Sequence, residues 1–106
     1  MSQQSAMSQA FQLFISQAPE HAQAWLESVK KLGAASALEP KTAALAYLAV
    51  LAAARLEGGL AFHVKQAKVS GATREEVISA ILIGLPAVGH TVMQSLPAAL
   101  AAYDEA

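Results

Sequence analysis

The side chains able to do acid–base or binding chemistry gather in one short stretch, Arg55 to His63, "RLEGGLAFH". It holds a guanidinium, a carboxylate, two adjacent glycines and an imidazole. His63 is the natural proton donor or acceptor, because the ordinary pKa of histidine lies near neutrality. Its competing reading is structural: Leu60, Val64 and Ala67 form an apolar stripe at helical spacing, and His63 falls on the edge of that stripe. Glu57 reads either as an acid–base partner or as a carboxylate favoured at a helix N-terminus by the macrodipole. On one straight helix Glu57 and His63 do not face each other, so pairing needs a bend at Gly58-Gly59 or a group from another subunit. Arg55 either complements the C-terminal end of the preceding helix or holds a substrate carboxylate. The two glycines weaken a helix but let a backbone or a ligand approach closely.

Two further histidines stand apart. His90 follows Gly89 at a loop or helix start, where the dipole disfavours the imidazolium; it could meet a substrate, or serve as a cap or surface residue. His21 sits in the first turn of an amphipathic segment and reads as solvated. No histidine falls in H-E-x-x-H or another metal-binding spacing, so no metal or other cofactor is expected. The chain has no cysteine, which removes disulfides, thiolate ligands and thiol nucleophiles. Neither a phosphate-binding glycine loop nor a Ser/His/Asp arrangement can be assembled.

Six helical segments must position these groups, and no alternating strand pattern competes with them. The first surrounds Ser8 to Ile15, with Met7, Ala10, Phe11, Phe14 and Ile15 on one stripe. The second opens at Pro19, a residue tolerated at the first helical position. It carries Ala22, Trp25, Leu26 and Val29 on one face and is expected to stop at Gly33. The third begins near Glu39-Pro40 and is apolar nearly all round, the mark of a central helix. The fourth runs from Glu57 to Ser70 and stops at Gly71. The fifth starts at a capping box, Thr73 with Glu76, and "GLPAVG" ends it. The last covers about Thr91 to Tyr103, and Pro97 within it either kinks the helix or begins a new one. The class is all-α, in one domain over residues 1–106.

Composition sets the remaining bounds. The 106 residues are 55% hydrophobic and 14% charged. Ordinary soluble domains run nearer 45–50% apolar and about 25% charged. Thr42–Ala54 is read as the longest uncharged run, shorter than the ~20 residues of a spanning helix, so no membrane is expected. No signal-peptide pattern opens the chain, and a cytoplasmic location is the expectation. The apolar surplus reads instead as subunit interface. A net charge of −1, with no basic stripe, argues against nucleic acid as a partner.

The ordered run "LEPKTAALAYLAVLAAARLEGGLAFHVKQAKVSGATREEVISAIL" resembles the carboxymuconolactone decarboxylase family, which includes the alkylhydroperoxidase D proteins. The matching pieces are Leu38-Glu39-Pro40-Lys41-Thr42, His63-Val64 and Gly71-Ala72-Thr73-Arg74-Glu75-Glu76-Val77. The upstream "APEHAQAWLESVKKL" and the downstream "LPAALAAYDE" are similar too. The resemblance implies an alkylhydroperoxidase D-like bundle of about six helices that assembles as a homotrimer or homohexamer. The family's redox branch uses C-x-x-C-x-x-x-H with a glutamate relay. Here the cysteine positions fall on Leu56 and Gly59 and the relay on Ala44, so only His63 remains. Peroxiredoxin activity therefore comes with the family name but without the thiolate that attacks a peroxide.

The decarboxylase branch also lacks the cysteine pair and keeps a histidine near this position. That likeness implies cofactor-free decarboxylation or proton transfer on a small carboxylated lactone. His63 and Glu57 are its catalytic candidates, and Arg55 and His90 its substrate-binding candidates. The alternative is a non-catalytic oligomeric binding or scaffold member. A closed polar pocket joining His63 to Arg55 or His90 favours the lyase. A pocket filled by Phe62, Leu60 and other apolar side chains favours the binding protein.

Overall fold

The computed structural model describes residues 8–105, and among these every regular element is helical. Met7, expected on the first apolar stripe, lies outside them. Helix α1 is Gln9–Gln17 and α2 is Pro19–Ala35. The Ser8 hydroxyl caps α1 by accepting the Phe11 N–H at 3.1 Å, and Pro19 opens α2. The two helices form a hairpin closed by aromatic rings. Trp25 meets Phe11 and Phe14 edge-on, with centroids 5.7 and 6.2 Å away. Gly33 does not stop α2. Its φ is not positive, and the helix runs on to Ala35 before the Ser36 N–H bonds back to the Gly33 carbonyl. Gly33 thus lacks the left-handed geometry that makes glycine a terminator.

Helix α3, Pro40–Ala54, begins at Glu39, whose carboxylate accepts the Thr42 N–H at 2.8 Å and the Thr42 hydroxyl at 2.7 Å. A 3₁₀ turn, Glu57–Gly59, then leads into α4, Leu60–Val69. Gly71, at φ 99°, reverses the chain after α4, and the Ala72 N–H returns to the Ala67 carbonyl at 3.0 Å. Helix α5, Arg74–Leu82, carries the expected capping box, with both reciprocal bonds between Thr73 and Glu76 formed. A short helix α6, Leu85–Val88, and a 3₁₀ segment, Gly89–Ser95, precede α7, Leu96–Asp104. Pro97 therefore sits in the first turn of a new helix rather than kinking an old one.

Helix α3 packs chiefly on α5 and α4, and α4 packs on α7. Leu48, Leu60, Ile81, Val64, Val77 and Val92 are fully buried between them. Each contributes on the order of 1.5–3 kcal/mol of transfer free energy. The longest uncharged stretch is not in α3 but at residues 77–103, long and apolar enough to cross a membrane. Glycines and prolines break it into short helical pieces, and Val77, Ile81, Val92, Ala99 and Ala102 from it supply the core. Polar ties hold the C-terminal helix in place. The Tyr103 hydroxyl donates to the Ala72 carbonyl at 2.8 Å, and Arg74 grips Asp104 through two bonds of 2.9 and 3.0 Å. By contrast, the α1–α2 hairpin places only Ala22 in the buried interior.

Candidate functional site

Arg55 ends α3 in the left-handed conformation, φ 59° and ψ 37°, and is the only non-glycine described residue with positive φ. That geometry costs a residue bearing a Cβ roughly 1–2 kcal/mol. It lets the Leu56 N–H cap the Leu51 carbonyl at 2.9 Å, and it swings the chain into the 3₁₀ turn. The Arg55 guanidinium lies 3.4 Å from the Glu57 carboxylate and donates to the Thr91 hydroxyl at 3.2 Å. Two of the four expected site residues are thus brought together, but they pair with each other. Both side chains are about 40% exposed, so the pair contributes on the order of 1 kcal/mol or less.

His63 is positioned from the other side. Leu60, Val64 and Ala67 bury the inner stripe of α4, which leaves His63 half-buried at its margin, as the spacing predicted. The imidazole packs against the Tyr47 ring, centroids 4.5 Å apart, and meets the neighbouring Phe62 ring edge-on at 5.2 Å. Burial lowers its pKa below 6.5, and no charge opposes that shift. The ring is neutral at pH 7. The bend at Gly58-Gly59 does occur, yet it carries Glu57 to Arg55 and not to His63. His90 is exposed in the 3₁₀ segment, and His21 is exposed in the first turn of α2.

The space in front of His63 is a groove of about 430 Å³ between the hairpin and the start of α4. Its walls are Phe11, Ile15, Trp25, Leu26, Val29 and Phe62, with Ser8, Gly59 and His63 completing it. None of Arg55, Glu57 and His90 lines it. The stripe Trp25, Leu26 and Val29, legible in the sequence as the inner face of α2, is in fact groove wall and stays 44–47% exposed. Periodicity identifies an apolar face but not what that face meets. A side chain added at Gly59 would touch the imidazole, since its Cβ would lie 3.7 Å from His63 Cδ2. Leu56 is 56% exposed, and Ala44 is an apolar residue packed against the core. The three positions of the redox branch are therefore occupied by groups with no proton or electron to exchange. Among the described residues no cluster of His, Asp and Glu could hold a metal ion.

Neither curated proteins nor solved structures yielded a match to this sequence. A family-level match was found over residues 19–104, which takes in α2 to α7 and the whole junction from Arg55 to His63, and on it the chain belongs to the carboxymuconolactone decarboxylase family.

Proposed function

We propose that this chain is a thiol-independent member of its family that binds a small molecule in the groove at His63, rather than a lactone decarboxylase or a peroxidase. The observation that carries this reading is the groove's lining. Apolar side chains surround His63, and Arg55 and Glu57 satisfy each other elsewhere. A carboxylated lactone needs cationic groups to hold it and a relay to exchange protons. Here the imidazole stands without an ionic partner, and a peroxide would meet no thiolate. His63 anchors the ligand through its ring nitrogens, either of which donates or accepts according to tautomer.

A turnover assay separates the two classes. Purified protein mixed with 4-carboxymuconolactone is expected to show no decarboxylation above a His63→Ala control. Turnover that depends on His63 replaces the binding reading with the lyase reading, in which His63 is the acid and base and Arg55 exchanges Glu57 for the substrate carboxylate.

A further inference from the structure

We infer that the groove takes a neutral, flat-ringed molecule of roughly ten to fifteen non-hydrogen atoms and rejects carboxylates. The inference rests on the reading that the groove at His63 is the site, and it names the ligand class that site accepts.

Size comes first. A volume of about 430 Å³ lies in the range of small-molecule sites. At roughly 30 Å³ for each water-sized group it holds a one- or two-ring compound and little more. The walls then select shape. Phe11 and Trp25 present one ring edge-on to the other at 5.7 Å, and Phe62 stands on the α4 side. A flat ring lying against that pair and Phe62 gains offset or edge-to-face contacts that a flexible chain cannot match.

Charge decides the rest. Among the described residues no lysine, arginine, aspartate or glutamate lines the groove. His63 is neutral at pH 7, so it offers an anion a dipole and not a countercharge. An anion placed there would exchange its hydration for apolar walls with no cation to repay it. Arg55, the cation expected to hold a substrate carboxylate, does not line the groove and is held between Glu57 and Thr91. A neutral ligand with one carbonyl or hydroxyl group meets the opposite situation. One polar atom of the ligand faces one polar ring of the protein, and the Ser8 hydroxyl, already accepting from Phe11, still has its own proton to donate.

The test uses two probes of the same shape, 2-acetylnaphthalene and 2-naphthoate, on the full chain at pH 8. Trp25 is the chain's only tryptophan and lines the groove, so its fluorescence reads occupancy directly. Equilibrium dialysis supplies the affinities. The ketone is expected to quench Trp25 and to bind at least ~10-fold more tightly than the carboxylate, a difference of about 1.4 kcal/mol. Val29 is 44% exposed, so Val29→Lys leaves the interior intact and sets an ammonium over the groove. That variant is expected to reverse the preference in favour of 2-naphthoate. Equal or tighter binding of the carboxylate by the wild-type chain overturns the inference. So does an unchanged preference in Val29→Lys, or binding of neither probe. Ketone binding that survives His63→Gln with no loss of affinity supports the ligand class and removes His63 from the proposed function.

Discussion

The imidazole of His63 sits where its neutral form is favoured, and that preference is a statement about stability. Burial places its folded pKa below the unfolded value of 6.5. Between those two values the unfolded chain binds more protons than the folded one, so stability falls as pH drops through that window. Above pH 6.5 both states are neutral at this site and the effect vanishes. Denaturant titrations from pH 8 to pH 5 are expected to show this loss in the wild-type chain and a smaller one in His63→Gln. The carboxylates act at lower pH. Glu76 is held below its usual range by the Thr73 backbone N–H and by Lys41, and Asp104 by Arg74. Their contributions persist above pH 4.5 and disappear only as acid reaches those lowered values. An equal slope in wild type and His63→Gln between pH 6.5 and 5 removes the histidine from the account. His63 as the chief chemical landmark was legible in the residues alone, from its place at the rim of an i, i+4, i+7 stripe. Its isolation from Glu57 and Arg55 was not, because a bend at two glycines sends the side chains on either side of it in directions that spacing cannot specify.

At the scale of elements, capped helix ends were the most readable features, while Gly33 was misread as a stop, the fourth helix starts at Leu60 rather than Glu57, and the last starts at Leu96 rather than near Thr91. The Thr73–Glu76 box announced α5 because its two hydrogen bonds depend only on residues three apart. Gly71 and Gly33 looked like equivalent stops. The structure separates them by backbone angle: Gly71 has φ 99°, while Gly33 is an ordinary helical residue with open space around its α-carbon. Gly71→Ala is expected to destabilise the fold by about 1–2 kcal/mol through strain alone. Gly33→Ala is expected to stabilise it by up to about 1 kcal/mol, through helix propensity and a less flexible unfolded chain. Chemical denaturation measures both. Opposite signs are the decisive outcome, and equal destabilisation would make Gly33 a terminator after all. Arg55 is the instructive companion, a left-handed position filled by a residue that gains an ion pair and a hydrogen bond there.

On the scale of the whole molecule, the apolar surplus of the composition is only partly consumed by the core. Leu32, Val50, Val69 and Ile83 remain 58–79% exposed, and the α1–α2 hairpin is thinly anchored to the body. A monomer rarely leaves this much large apolar surface in water. We propose that a second copy covers part of it, as in the trimer or hexamer that the family resemblance implies. Sedimentation is expected to show one species heavier than a monomer, whose thermal midpoint rises with protein concentration. Val50→Glu and Ile83→Glu should shift it toward monomer, and a wild-type monomer that is stable at high concentration sinks the proposal.

The residues by themselves determined an all-helical chain, the capped starts of several of its helices, and the family to which it belongs. Those signals are local: capping pairs, proline and glycine positions and 3.6-residue periodicity act within a turn or two of helix. Only the tertiary structure decided that the Trp25 face lines a groove instead of a core, that Arg55 and Glu57 neutralise each other, and that His63 looks onto apolar walls. Each of these depends on where one helix lies against another, and that placement follows from how all the apolar faces pack together at once, not from any single stretch of sequence.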